Sequence, residues 1–296
     1  MSPAPIAEIA SAISAASGKT FHVRDYKEVS GGCINHGLAL HGRDGRRYFV
    51  KINQAAQLSM FDAEAAGLLD LDAAQAVRVP IPLTQGIAGR HSYLVMEWLN
   101  LDKAGTMHAA ALGEQLARLH ATSRPTFGWQ RDNTIGATPQ ANPSTDDWIR
   151  FYREHRLRPQ FELAAQRGAA NGLIESGERL LASLPAFFES HTPSPSLLHG
   201  DLWSGNVGMA DGQPVIFDPA VYYGDRETDI AMTELFGGFP AAFLAAYNAV
   251  WPLDPGYRTR KMLYQLYHLL NHFNLFGGAY ASQSRQAVDR LLAELK

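Results

Sequence analysis

Cysteine is almost missing from this chain: Cys33 is the only one. That excludes an intramolecular disulfide, a stapled secreted scaffold and a cysteine-based zinc site. No stretch runs apolar for the eighteen or so residues that a bilayer crossing needs, so no membrane span is expected. A basic excess is lacking too. The 26 Lys and Arg against 29 Asp and Glu give a formal net charge of -3, which leaves nothing to neutralise a phosphate backbone and removes nucleic acids and anionic membranes as default partners. Charged residues are sparse at 19% against the usual ~25%, while apolar residues at 46% are in the ordinary soluble range, so global disorder is excluded. The first ten residues carry no basic region and place Glu8 among their apolar positions, which argues against a signal peptide. A reducing, cytoplasmic home is the expectation.

A length of 296 residues suggests about two domains, or one domain with two lobes. Residues 5–17, with Ile6, Ile9, Ala10 and Ile13 at helical spacing and a stop at Gly18, read as a short amphipathic helix. Phe21–Val29, Leu38–His41 and Tyr48–Ile52 read as strands of an antiparallel meander, with hairpin chemistry at Arg43-Asp44-Gly45-Arg46. Leu58–Leu71 returns to a helical period, Pro80 and Pro82 close the stretch that follows, and His91–Met96 is one more strand. After residue 100 the pattern turns mainly helical, over Met107–His120, Asp147–Gln166 and Leu173–Ser190, and again from about Thr228, Ala241 and Arg258. Two short apolar runs, Leu197–His199 and Val215–Phe217, flank a Gly/Asn-rich loop; Arg124–Pro143 is turn-rich, and within it the loop Phe127–Pro143 is long enough to be functional. The expected fold class is α+β, with an N-terminal lobe over 1–99 that binds nucleotide and a catalytic, acceptor-binding lobe over 100–296.

The ordered set Gly31-Gly32, Lys51, Glu64, Glu97-Trp98-Leu99, His199-Gly200-Asp201, Asn206 and Asp218 resembles the parts of a protein-kinase-like phosphotransferase. Phosphoryl transfer from ATP asks for cations, metal ions and a positioned hydroxyl around a phosphate whose charge is spreading. In His199-Gly-Asp-Leu-Trp-Ser-Gly-Asn206 the Asp stands two after the His and the Asn five after the Asp, the spacing of a kinase catalytic loop. Asp201 is then the base that orients the acceptor hydroxyl, and Asn206 a magnesium ligand. Asp218, at the end of an apolar run, offers hard oxygen as the second Mg²⁺ ligand. Lys51 is a charge inside the strand Phe49-Val50-Lys51-Ile52 and needs a partner. The kinase-like reading gives it the ATP phosphates and Glu64, with Glu28 or Asp62 as competitors. Gly31, Gly32 and Cys33 belong to a degenerate loop over the phosphates, where a thiol would be drawn toward low pKa and oxidation, so a redox-linked dimer stands beside a monomer. Met96 would lie behind the adenine, with the backbone of Glu97 and Leu99, on either side of Trp98, at its edge.

Several stretches go further and look like the fructosamine kinase (ketosamine-3-kinase) family, distantly related to aminoglycoside and choline kinases. They are the Trp203-containing loop just given, Phe217-Asp-Pro-Ala220, Phe127-Gly-Trp129, Asp132-Asn-Thr-Ile-Gly136, Thr138-Pro-Gln140, Asp147-Trp148, Phe236-Gly-Gly-Phe-Pro240 and Tyr264-Gln-Leu-Tyr267. The resemblance covers about residues 5 to 292. It implies ATP-dependent phosphorylation of the 3-hydroxyl of ketosamines, free or on protein lysines, after which the adduct falls away: a role in deglycation. Trp203 offers a flat face to a sugar ring, and Asn271 and His272 belong to an aromatic helix that could line the acceptor pocket. For Arg150, Arg153, Arg156 and Arg158 a solvated helix face outweighs a phosphate-binding one. An aminoglycoside- or choline-type kinase is the alternative enzyme. A nucleotide-binding regulator without chemistry is the other alternative, against which Lys51, Asp201 and Asp218 are all present. No phosphosite follows Asp218, so a constitutively assembled site is expected.

Overall fold

The structure is a computed structural model that describes residues 4–29, 34–102 and 108–295. Gly31, Gly32 and Cys33 lie outside the described residues. The chain divides into two compact units: Met1–His108 with Gly208–Pro219, and Ala109–Val207 with Ala220–Lys296.

In the first unit α1 (Ile6–Ser17) buries Ile9 and Ile13 and ends at Gly18 in the left-handed region. β1 (Val23–Val29), β2 (His36–Gly42) and β3 (Arg47–Gln54) form the expected meander. α2 (Leu58–Ala73) is inserted before β4 (Pro82–Ala88) and β5 (His91–Glu97), and the sheet order is β1-β2-β3-β5-β4. Strand alternation assigns the two faces. Val50, Ile52 and Val95 join Ile9, Ile13, Leu38 and Leu40 in one core cluster, and Lys51 points the other way, toward α2. Strand β4 departs from the sequence reading, in which Pro80 and Pro82 only close a stretch. Pro82 is the first residue of a strand that pairs with β5 alone, an edge position where a missing N–H costs little.

The second unit opens with α3 (Ala109–His120) and, within the turn-rich loop, a small hairpin of β6 (Asn133–Ile135) and β7 (Thr138–Gln140). Asp147 caps α4 (Trp148–Tyr152) by accepting the Arg150 N–H. A π-helical turn over Arg153–Leu157 then joins it to α5 (Arg158–Gln166). That turn rotates Arg156 inward. α6 (Asn171–Ser183) follows, and then the short β8 (Ser196–Leu198). After the Gly/Asn-rich loop comes the hairpin of β9 (Val207–Ala210) and β10 (Gln213–Ile216), which belongs almost wholly to the first unit. Its turn residues Asp211 and Gly212 both have positive φ, as a tight hairpin turn requires. Asp102 N–H donates to Met209 and Ile216 N–H to Arg78, and these bonds fix the hairpin in that unit. β11 (Tyr222–Gly224) pairs with β8, and α7 (Glu227–Thr233), α8 (Ala241–Val250), α9 (Tyr257–Phe276) and α10 (Tyr280–Ala293) complete the chain. Among the described residues no helix is long and apolar enough to cross a membrane.

Candidate active site

Lys51 is buried, and its ammonium bonds Glu64 of α2 at 2.5 Å and Asp218, just past β10, at 2.6 Å. Of the three acids the sequence offered, Glu64 is the one shown paired with it. Burial alone would push the Lys51 ammonium down, but the carboxylates of Asp218 and Glu64 outweigh it and hold it charged. Glu64 is raised by its own burial and by the Asp218 charge, which Lys51 offsets in part. Asp218 has a φ of 56°, a strained value for a residue with a Cβ. Such strain persists where the surroundings over-determine it, and here β10 and the Lys51 pair do so.

Met96 is buried on β5, opposite Phe49. The Glu97 N–H donates to Ile81, so an adenine hydrogen bond from this residue has to use its carbonyl. The Trp98 indole donates to Asn100 at 3.0 Å and carries the Arg47 guanidinium 5.6 Å from its ring centroid, so it serves the local surface of the sheet.

In the second unit the catalytic-loop sequence is held from behind by a residue that sequence reasoning missed. Asp229, buried on α7, accepts the N–H of His199 at 2.7 Å and of Gly200 at 2.8 Å, and faces His120 at 3.2 Å. Burial would raise the Asp229 carboxyl, but His120 and the backbone donors bring it below the ordinary range. His120 in turn bonds the Tyr247 hydroxyl at 2.8 Å, which ties α3, α7 and α8 to the loop. The only sequence signal was an acid inside a short apolar stretch, which needs a buried partner.

Gly200 has a φ of 82°, and a Cβ there would lie 2.1 Å from the Ala220 carbonyl oxygen, so only glycine fits. Ala220 N–H donates to His199 O, locking the two segments together. Asn206 donates from Nδ2 to the Asp201 carbonyl at 2.9 Å and carboxylate at 3.2 Å. This fixes the amide orientation and turns Oδ1 away from Asp201.

The 127–143 loop braces this arrangement. Asn133 donates to Val221 O at 2.8 Å, and Gln140 donates to both Asn133 Oδ1 and Ala220 O while accepting from Tyr267. Asn142 donates to Asn133 and accepts from Arg156 at 2.6 Å. Arg156 therefore corrects the solvated-face expectation. It is fully buried, bonds Ala141 O and lies 4.0 Å from the Tyr222 ring centroid. Arg153 and Arg158 do lie on the helix surface, paired with Glu154, and Arg150 is exposed. Asn271 is buried and accepts from Gln160 Nε2 at 3.2 Å.

Trp203 and His272, singled out from sequence, meet through Phe236. Trp203 is 37% exposed, and its six-membered ring covers Gly205, where a Cβ would lie 2.3 Å from it. Phe236 packs edge-on to Trp203 at 6.3 Å and 4.5 Å from His272.

The family model described as Fructosamine kinase matches residues 5–294. The chain belongs to the fructosamine kinase family. It is 50% identical over 293 residues to the probable ketoamine kinase of Synechocystis, a match that covers 98% of each chain. It is 41% identical to a chloroplastic protein-ribulosamine 3-kinase of Oryza sativa subsp. indica, over 94% of this chain and 82% of the relative. A crystal structure of a candidate fructosamine-3-kinase from Haemophilus somnus aligns with a TM-score of 0.88 at 31% identity, over 96% of each chain. The fold is thus the protein-kinase-like one, an antiparallel sheet with an inserted helix followed by a mainly helical region. The protein is a kinase, and ATP is its phosphoryl donor.

Proposed function

We propose that this kinase phosphorylates the 3-hydroxyl of ketosamines, the ribulosamine or fructosamine adducts of free amines or protein lysines, and so acts in deglycation in the cytoplasm. The relatives named ketoamine kinase and ribulosamine 3-kinase match over nearly the full chain, which supports the acceptor class. The observation that carries the reading is the His199–Asn206 loop, clamped by Asp229 on one side and Ala220 on the other.

Asp201 is the base that takes up the acceptor hydroxyl's proton as that oxygen attacks the γ-phosphorus, the bond from phosphorus to the β–γ bridging oxygen breaks and ADP leaves with its electron pair. Asn206 keeps the Asp201 carboxylate oriented. Lys51, held charged between two carboxylates, steadies the ATP phosphates, and Glu64 sets its direction. Met96 backs the adenine, and backbone groups at Glu97 and Leu99 meet its edge. The donors fit Mg²⁺: the side-chain carbonyl of Asn206 and the carboxylate of Asp218 are both hard oxygen ligands. Mg²⁺ on ligands of this kind would neutralise charge on the phosphates during transfer. Trp203 and His272 contact the acceptor.

ADP release from Mg-ATP tests the reading, with ribulose-lysine, fructose-lysine, choline and kanamycin offered separately. Turnover with a ketosamine alone, abolished in Asp201→Asn, is the expected result. Turnover with choline or kanamycin but no ketosamine overturns it.

A further inference from the structure

The rings around Trp203 extend beyond the two residues that the sequence singled out. Phe236 lies edge-on to Tyr280 at 6.3 Å, and His272 sits 5.1 Å from Tyr280 and 5.6 Å from Phe276, which is 54% exposed. Among the described residues, every arginine stacked on a ring uses a ring outside this group. Among the described residues, then, no arginine is stacked on these faces.

His272 adds a directional contact. Its Nδ1 lies 2.9 Å from the His268 carbonyl, which can only accept, so Nδ1 carries the proton. Burial pushes the ring's pKa down, the His268 carbonyl opposing in part, and the ring is neutral near pH 7. Nε2 then holds a lone pair, the acceptor for a donor on the ligand. A cluster of partly exposed π faces with one neutral acceptor suits a substituted ammonium: the faces attract the charge and the acceptor takes an N–H.

A ketosamine differs from a free ketose by just such a group, a secondary amine protonated near neutrality. We propose that Trp203, Phe236, His272 and Tyr280 form a shelf that recognises the ammonium of the ketosamine, with Phe236 and Tyr280 as additional specificity-determining residues. The inference rests on the ketosamine reading above and deepens it. The shelf reads the amine linkage, while the Asp201 loop acts on the sugar hydroxyl. Free sugars are then poor substrates because they lack the cation.

The test compares two acceptors of equal shape, 1-deoxy-1-(butylamino)fructose and 1-O-butylfructose, in wild type, Phe236→Leu, Tyr280→Leu and Phe236→Tyr. Wild type should prefer the amine in kcat/KM by at least about tenfold. Each leucine variant should lose about five- to tenfold more toward the amine than toward the ether, chiefly through KM, while KM for ATP stays put. Phe236→Tyr keeps a π face and should keep the preference, which shows that the loss comes from the ring face and not from misfolding. Equal losses on both acceptors, or no wild-type preference for the amine, overturn the shelf alone and leave the ketosamine reading standing. Turnover of neither acceptor by wild type that still binds ATP overturns both.

Discussion

Replacing Asp229 with Asn changes one atom of the clamp behind the catalytic loop and tests whether that clamp sets Asp201. The carboxylate accepts two backbone N–H groups and faces His120, all within a fully buried site. An asparagine keeps one acceptor and turns an NH₂ group toward another donor, so one of the His199, Gly200 or His120 contacts is lost. An orphaned buried N–H costs about 1–3 kcal/mol, and loss of charge assistance on the remaining bond adds about 1 kcal/mol. A total near 3 kcal/mol lowers Tm by about 6–12 °C for a chain of this size. The loop would also relax, and a shift of about 1 Å at Asp201 costs on the order of a hundredfold in kcat. Thermal unfolding by circular dichroism and ADP release read the two effects, with KM for ATP expected to move little. The pH dependence gives a further check. The folded Asp229 carboxyl titrates below its ordinary 3.8, so its stabilisation is complete above that value and is lost as pH falls through the lower folded value. Asp229→Asn should flatten this acid limb. A Tm within about 2 °C of wild type together with kcat within about threefold refutes the reasoning.

Glu64→Gln leaves Lys51 paired with Asp218 alone, so the ammonium swings toward Asp218; kcat should fall about a hundredfold and KM for ATP rise, while urea unfolding shifts little. Arg156→Lys cannot reproduce the fork onto Ala141 and Asn142 or the stacking on Tyr222, and should destabilise by about 3 kcal/mol in urea titrations; a change below about 0.5 kcal/mol contradicts the burial argument. His191, pushed down by burial but raised overall by Asp225 and Glu227, titrates above its ordinary 6.5. Its stabilisation is therefore present below that pH and lost as pH rises through the folded value. Urea midpoints at pH 6, 7.5 and 9 should fall in wild type and fall less in His191→Gln.

What the sequence made legible was what repeats or what carries fixed-spacing chemistry. The alternation in β3 and the helical period of α2 are local, so Lys51 and Glu64 could be placed on facing elements, and the structure pairs them. The spacing from His199 to Asn206 encodes a loop whose internal hydrogen bonds stay within five residues. β4 was missed because Pro82 reads as a breaker unless the strand is known to be an edge, which is a tertiary fact. Arg156 was misjudged for a related reason. A helical wheel puts it with Arg153 on a wet face, but the π-helical turn at Arg153–Leu157 rotates it inward to partners on the 127–143 loop.

The largest unreadable part was the support of the catalytic loop, because it comes from residues far away in the chain. Asp229 is thirty residues from His199, and its partner His120 lies on another helix again. On the other side, Ala220 holds His199, and Gln140 holds Ala220 while Tyr267 of α9 holds Gln140. The loop must keep Asp201 fixed while its own glycine adopts a conformation that no other residue takes without strain. Such a loop has little local stability, so its geometry has to be imposed by contacts from α3, the β6–β7 hairpin, α7 and α9. This explains why the resemblance to the family runs along the whole chain and is not confined to the loop: Asn133, Gln140 and Tyr267 sit in those distant motifs, and each donates or accepts a hydrogen bond in the brace. Substitutions in the brace should therefore lower kcat without touching substrate, and raise KM less than changes on the Trp203 shelf do.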